Sequence, residues 1–425
     1  MNILFLAFLY PISFLFSQNT EVESDSLILK AIDFEGLQKT EIDYLIRFLH
    51  TSTNAAVDTQ SLAKDAQCLR NLRFFSTINY SLHDTLGGKK AVFECKEQKT
   101  LLPYINFAAS KNGLQFSLGA FDFNSFGKGI LLKGVYHYYQ RHSAEFAFRN
   151  TYIRGSRWGV LLEVARINSS EPLYFDEGKL IYDFDMLKLG GELQYELNFR
   201  QSVGVAYNYL TEDYLKNEKL SAANMNFGLE EAHFNKHLFK TFYRLNRVNY
   251  AGQYAEGFSL SFCTEATFSQ QDGRWFYKLM NDFRYFKRLG KSGNFALRHI
   301  IGISENSDTP FGQFVQDSYV NVRGIGNRVA RGTAEMSLNV EYRQMLYDIS
   351  WLSIQTVVFT DYSVLRPAAT SWQDWFTTSQ QAVFGGLGLR LSLDNYYQSI
   401  LRIDYGFNIK EQKAGEIVIG IGHFF

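Results

Sequence analysis

From residue 101 to the end of the chain, apolar and polar residues alternate in short segments. Between residues 387 and 393 every second residue is leucine, and Gly388, Arg390 and Ser392 occupy the positions between them. A period of two indicates a β-strand with one apolar and one polar face. About sixteen or seventeen such segments follow one another, each about 9–11 residues long, the length that a tilted strand needs to cross a bilayer.

A closed barrel explains this pattern better than a soluble sandwich does. A sandwich would also alternate, but one ordinary sandwich contains fewer strands. In hydrocarbon every backbone donor needs a partner, so membrane-spanning strands must close on themselves. The sequence therefore predicts a fold that is mainly β, a transmembrane antiparallel β-barrel of about 16 strands over residues 101–425.

The number of strands is the weaker part of this prediction. We count about twelve segments before residue 322 and about five after it. Bacterial single-chain barrels have an even number of strands. One segment is therefore assigned wrongly, and residues 223–234, which also fit a long loop, are the first candidate.

The N-terminus carries the one long apolar run, residues 3–16. This run is shorter than the ~20 residues of a membrane helix. We interpret residues 1–18 as a secretory signal peptide. No Lys or Arg precedes the run and no A-x-A site follows it, so an anchoring N-terminal helix is the alternative.

Residues 27–98 predict a small domain in front of the barrel, with the order β-α-α-β-β. A strand at residues 28–34 precedes a first helix that Thr40 is expected to cap. A second helix begins at about Asp58, with apolar residues at helical spacing, and two strands joined by a Gly-Gly turn complete the domain.

Composition agrees with a barrel and excludes several functions. The net charge is zero, which argues against nucleic acid as a partner. Aromatic residues reach 16% while the chain has 5 Pro, a balance typical of β-strands. The 3 Cys have no metal-binding spacing. Cys68 and Cys95 fall in the small domain, where they could form a disulfide or remain buried free thiols.

The small domain resembles a POTRA domain through its element order and several short motifs. The resemblance implies a periplasmic location and a sheet edge that adds strands from client polypeptides or from periplasmic accessory proteins. The matching motifs are Phe34-x-Gly36-Leu37, Lys39-Thr40 and Leu69-x-Asn71-Leu72-x-x-Phe75.

A Gly-rich loop near residue 322 carries the second resemblance. With the preceding domain, the Val322-Arg323-Gly324 step resembles the BamA/TamA superfamily of outer-membrane assembly and translocation proteins. The resemblance implies that Arg323 folds back into the lumen and contacts Glu341 and Asp361, forming a lumenal lock. The parity of both strands agrees, because each carboxylate lies on the polar face, and an Arg fork can bridge two carboxylates.

The C-terminal segment predicts the last strand of the barrel. In EIVIGIGHFF alternate positions form a stripe that ends on an aromatic residue, and the stripe resembles the terminal signal by which outer-membrane barrels are recognised for insertion. Its proposed residues are Ile417, Ile419, Ile421 and Phe425, with His423 in the same parity.

The resemblance implies a non-enzymatic outer-membrane barrel that assists insertion or translocation of client proteins and is gated by the Val-Arg-Gly loop. A weak seam between first and last strands would serve this, and Pro103 weakens the first strand. A passive pore or structural barrel is the alternative. A barrel hydrolase is less favoured, because the sequence has no G-x-S-x-G or H-E-x-x-H motif. No cofactor or metal is expected.

Three features depart from the superfamily. Ile325 stands where an aromatic residue is usual, and residues 310–321 lack the usual Gly-rich approach to the motif. The chain also has one POTRA-like domain where the principal assembly factor has several. These departures fit a smaller or accessory member better than the central insertase.

Overall fold

The computed structural model describes most of the chain after the predicted signal peptide, which itself lies outside the described residues. Within the described part, no helix is long and apolar enough to cross a membrane. The described ranges are 27–110, 113–139, 141–175, 178–221, 230–305, 312–349, 351–368, 370–376, 381–411 and 415–425.

The N-terminal domain is a three-stranded sheet covered by two helices. Its strand order is β1-β3-β2, in which the central β3 pairs parallel to β1 and antiparallel to β2. Leu45, Leu62, Leu69 and Phe93 are fully buried between helices and sheet. The predicted element order is therefore present. The elements are β1 Leu29–Glu35, α1 Ile42–Ile46, α2 Thr59–Asn71, β2 Phe75–Thr85 and β3 Gly88–Glu97.

The two helix starts differ from each other. Asp58 caps α2 as expected, since its carboxylate accepts the backbone N–H of Gln60 at 2.9 Å. The prediction that Thr40 caps α1 is wrong, because α1 begins after Glu41 without a side-chain cap. Thr40 instead donates its backbone N–H and its hydroxyl to the carboxylate of Glu97, at the end of β3. The hydroxyl oxygen, which would have accepted a backbone N–H as a cap, instead accepts from Nδ2 of Asn124 at 2.8 Å.

The cysteines of the N-terminal domain are free thiols. Cys95 is 6% exposed, and burial raises the pKa of its thiol to about 12. Because the thiolate is the reactive form, we expect maleimide at pH 7.5 to label Cys95 at least about 100-fold more slowly in the folded protein than after denaturation. The measurement uses a variant with Cys68→Ala and Cys263→Ala, followed by mass spectrometry. Fast labelling of the folded variant would contradict the buried position.

The remainder of the described chain forms a closed antiparallel barrel. Seventeen segments follow one another around it. The short β12 (Asn249–Ala251) continues β11 (Glu231–Asn246) along the same neighbouring strand, so the segments form sixteen strands. The ring closes between β22 (Ile417–Ile421) and β4 (Leu101–Ser110). The two short strands β16 and β17 pair only with each other in the described part of the chain.

The bounds of the barrel strands are β4 Leu101–Ser110, β5 Gly113–Ser125, β6 Ile130–Tyr139, β7 His142–Asn150, β8 Trp158–Phe175, β9 Gly178–Asn198, β10 Gln201–Lys216, β11 Glu231–Asn246, β12 Asn249–Ala251, β13 Tyr254–Ser269, β14 Arg274–Leu289, β15 Gly293–Ser304, β18 Ala334–Asp348, β19 Leu352–Arg366, β20 Gln381–Leu393, β21 Ile400–Asn408 and β22 Ile417–Ile421. The separate two-stranded sheet consists of β16 Phe314–Gln316 and β17 Ala330–Gly332. Two 3₁₀ turns lie at Ile153–Gly155 and Trp372–Trp375.

Two details of the predicted strands are corrected. In the segment 223–234, residues 231–234 belong to β11, which begins at Glu231, and residues 223–229 lie outside the described part of the chain. Several strands are longer than predicted, with 18 residues in β8 and 21 in β9. Because about 10 residues cross a bilayer, these two strands extend well beyond it.

The outer face of the barrel is apolar and exposed. Large aliphatic side chains such as Leu189, Val358 and Leu387 point outward and are 44%, 56% and 65% exposed. Polar and charged side chains fill the inner face, including Ser337, fully buried on β18. An apolar band of this kind around a closed barrel requires lipid rather than water. The predicted fold, a transmembrane β-barrel behind a small N-terminal domain, is confirmed.

The N-terminal domain packs against one end of the barrel, which we call the proximal end. Lys39 Nζ lies 2.8 Å from the carboxylate of Asp122 on β5. The Arg47 guanidinium lies 3.5 Å from the ring centroid of Tyr152, in the turn before β8. On the other side of the domain, Asn71 donates to the side chain of Asn249 at 3.1 Å. These contacts fix the small sheet across the barrel opening.

Candidate functional site

The segment between β15 and β18 returns into the barrel, and we call its described residues 312–333 the lumenal loop. The backbone carbonyl of Asp317 accepts the N–H groups of Val320, Asn321 and Val322, each at 3.2 Å. Gly324 then has a φ of 86°, a left-handed conformation that glycine adopts without strain. The loop therefore makes a tight turn at the Val-Arg-Gly step.

Arg323 is fully buried at the tip of this turn. Its Nε and Nη2 donate to the two oxygens of Asp361, each at 2.8 Å, and its backbone N–H adds a third bond at 3.0 Å. Its Nη1 donates to Glu341. Asp404, on β21, lies 3.7 Å from the same nitrogen. The structure thus brings Arg323 against both carboxylates that the sequence proposed and against a third.

Two aromatic rings enclose the guanidinium. Its central carbon lies 3.6 Å from the ring centroid of Phe359 on β19 and 4.3 Å from that of Phe424. Rings at these distances attract a cation through their negative faces and exclude water from it. The side chain is therefore held by charge at its edge and by rings on its faces.

Arg323 belongs to a larger buried ion cluster. Arg343 Nε lies 2.7 Å from Glu341, and Arg390 Nη1 lies 2.6 Å from Asp404. Arg402 approaches Asp404 at 3.5 Å. In the described residues, the cluster contains four guanidinium groups and three carboxylates. Asp361 differs from the other two acids, because Arg323 is its only cationic partner there.

Amide side chains connect the loop to β18. Asn339 donates through Nδ2 to the backbone carbonyl of Asn321 and to Asp361, both at 2.7 Å. Asn321 in turn donates to Glu335 at 2.7 Å. The backbone of the loop, and not only its arginine, is therefore bound to the barrel wall.

Gly406 on β21 leaves room for the loop backbone. A Cβ atom at this position would lie 2.1 Å from the carbonyl oxygen of Arg323 and 3.2 Å from Cα of Gly324. No Cβ atom can be accommodated at the first distance without moving backbone. The close contact shows that the loop is seated directly on the strand.

A second anchor lies farther along the loop. Arg328 and Arg331 both bind the buried carboxylate of Glu171 on β8, the second at 2.6 Å. The backbone N–H of Arg328 donates to Asp317 at 3.0 Å. Two contacts on opposite sides of the barrel, one to β8 and one to β18, β19 and β21, hold the loop across the lumen.

Sequence reasoning missed several of these residues. Asp404 and Gly406 lie on the polar parity of an alternating segment, so the parity that agreed with an inward Glu341 also indicated an inward Asp404. Glu171 lies more than 150 positions from its arginine partners, and no local pattern connects it to them. Phe424 falls outside the terminal stripe, so the alternation does not point to it.

The structure separates Phe425 from the three isoleucines of the predicted C-terminal stripe. Ile417, Ile419 and Ile421 lie on the outer face of β22, 66%, 55% and 58% exposed. Phe425 does not continue this stripe, contrary to the predicted parity, because β22 ends at Ile421 and Gly422, with a φ of 87°, turns the chain. The carbonyl of Phe425 accepts a bond from Arg343 in the lumen. A role for the stripe in insertion stays a prediction.

In the described part of the chain, no group of His, Cys, Asp and Glu could hold a metal ion. The site is thus a set of arginine–carboxylate contacts around a loop. Its chemistry is that of holding a segment in place.

Comparison with solved structures matches nearly the whole chain to two kinds of barrel. BamA from Haemophilus ducreyi lacking POTRA domains 1–3 aligns with a TM-score of 0.54 at 16% identity, over 93% of this chain and 83% of that chain. CdiB from Acinetobacter baumannii aligns with a TM-score of 0.57 at 12% identity, over 92% and 73%. CdiB from Escherichia coli aligns with a TM-score of 0.57 at 10% identity, over 93% of this chain and 75% of that chain.

The chain has the fold of the BamA and CdiB barrels. At these identities the likeness establishes the fold and does not transfer an activity. No family model and no curated protein matches the sequence.

Proposed function

We propose that this protein is an outer-membrane barrel that assists the insertion or translocation of client polypeptides and is gated by its lumenal loop. The observation that carries the proposal is Arg323, fully buried between Glu341 and Asp361 inside a closed lipid-facing barrel. A passive pore has no need of a loop held across its lumen by buried charges, which are costly to desolvate.

The N-terminal domain supplies the second part of the proposal, a periplasmic POTRA-like domain that receives clients. Its sheet has two outer strands, β1 and β2. Beside β1, Leu29 already exchanges backbone hydrogen bonds with Asn54 and Ala55, at 2.7 and 2.8 Å. In the described residues, β2 pairs with β3 alone. We therefore assign strand addition to the outer edge of β2, the mode by which an extended client segment extends a sheet.

The test is photo-crosslinking in living cells with benzoylphenylalanine at Asn79, which is exposed on β2. Lys64, exposed on α2 away from this edge, is the matched control position. We expect Asn79 to give several-fold more adducts with unfolded outer-membrane polypeptides than Lys64 does. The absence of polypeptide adducts at Asn79, with steady ion conductance by the purified protein, would instead support a passive pore.

A further inference from the structure

An apolar cavity lies in the barrel wall at the closing seam. It has a volume of about 870 Å³ and opens between the start of β4 and the start of β21. This volume is within the range of small-molecule sites in proteins, ~300–1,000 Å³. Its walls are almost entirely aliphatic and aromatic, and include Leu102, Tyr104, Leu391, Leu393, Leu401 and Ile421.

The cavity exists because the last strand stops early. Ile421, the final residue of β22, and Gly422 both line it. Gly422 donates its backbone N–H to the carbonyl of Ile400 at 2.7 Å and leads the chain away from the wall. Strand β4 begins at Leu101, beside this point, so its first residues face the cavity instead of a full-length partner.

A short backbone bridge closes the proximal side of the cavity. Lys99 donates to the carbonyl of Asn395 at 2.9 Å and accepts from the N–H of Tyr397 at 3.0 Å. The gap is therefore bounded by this bridge on one side and by the β22–β4 closure on the other. We call it the seam window.

The lining of the seam window suits a hydrocarbon chain better than a β-strand. Pro103 has no N–H to offer to an added strand. On the opposite side, the carbonyl of Ile400 already accepts the N–H of Gly422. The N–H of Ile400 donates to the carbonyl of Gln398 at 2.9 Å. Since these backbone groups are absent or used, what the window offers is apolar side chains.

A cation stands at the proximal rim. The exposed Lys99 has its Nζ 5.3 Å from the ring centroid of Tyr396, which itself lines the window. In the described part of the chain, Lys99 has no carboxylate partner. A Lys–Tyr pair beside an apolar opening matches a lipid whose phosphate lies at the membrane interface.

We propose that the seam window binds one phospholipid, with an acyl chain between β4 and β21 and the phosphate at Lys99. The proposal requires the membrane location of the barrel and does not depend on whether the protein handles polypeptides. A lipid in this position would fill the gap that the short β22 leaves in the wall.

The test begins with the full chain in vesicles of phosphatidylethanolamine and phosphatidylglycerol. The protein is then extracted into mild detergent, and retained lipid is counted by native mass spectrometry. We expect one retained phospholipid and at least a five-fold loss of the bound fraction in Leu401→Trp, which fills the window. Leu189→Trp, on the outer face of β9, is the control that should retain it. Equal retention by both variants, or none by the unaltered protein, would overturn the proposal.

Two further arms separate the headgroup and a polypeptide occupant. Lys99→Gln should weaken retention several-fold, whereas Lys128→Gln, at another proximal turn, should not. Benzoylphenylalanine at Leu393 in living cells should give an adduct with the mass of a phospholipid. A polypeptide adduct at Leu393 would instead make the window a client site and overturn the lipid assignment.

Discussion

Replacing Arg323 with alanine is expected to lower the free energy of unfolding by about 3–5 kcal/mol, the usual cost of breaking a buried ion pair. The replacement leaves Asp361 fully buried without its cationic partner, whereas Glu341 keeps Arg343. Denaturant titration of the detergent-solubilised barrel, followed by tryptophan fluorescence, measures the loss. Because the loop also loses its central contact, we expect ion conductance in planar bilayers to increase.

Three variants make this result specific. Arg323→Lys keeps the charge but not the planar fork, so its stability and its conductance should lie between those of the wild type and of Arg323→Ala. Asp361→Asn in the Arg323→Ala background removes the unpaired charge and should recover part of the lost stability. Arg157→Ala, at an exposed turn, should change nothing. If Arg323→Ala kept wild-type stability and conductance, the loop would not be held by this contact.

Replacing Gly406 with alanine is expected to lower the free energy of unfolding by about 1–3 kcal/mol, because the added methyl group overpacks the contact with the loop. The new methyl group would lie 2.1 Å from the carbonyl oxygen of Arg323, so the loop backbone has to move away from β21. We expect conductance to increase as for Arg323→Ala, although Gly406→Ala removes no charge. The same titration and bilayer recordings measure both quantities.

The control is Gly134→Ala on β6, where an added Cβ meets nothing within 4 Å. This variant should match the wild type in both measurements. The double variant Arg323→Ala with Gly406→Ala should lose less unfolding free energy than the sum of the two single losses, because each replacement displaces the same loop. Full additivity would indicate that the glycine acts on the strand rather than on the loop.

The barrel was predictable from sequence because the alternation of apolar and polar residues is repeated in strand after strand around the ring. Glu341 and Asp361 were proposed from the resemblance to the superfamily, and the parity of their strands agreed with an inward orientation of both carboxylates. Parity says only which face a residue lies on, however, so it could not identify which of several inward acids meets Arg323. Asp404 was missed for that reason.

The errors came from competition between local and distant partners. Thr40 has the type and spacing of a helix cap, but Glu97, on another element, binds it instead. Phe425 fits the terminal stripe by counting, but one left-handed glycine, Gly422, ends the alternation before it. The pairing of Glu171 with Arg328 and Arg331 depends on the path of the loop across the lumen, and no local sequence pattern indicates that path.

The chain order of the lumenal contacts has a consequence for assembly. Arg323 precedes Glu341, Asp361 and Asp404 in sequence, so strands β18, β19 and β21 must all be present before its contacts are complete. The full set of contacts of the guanidinium therefore exists only in a barrel whose C-terminal third has been built, and a wall without these strands leaves Arg323 short of carboxylate partners.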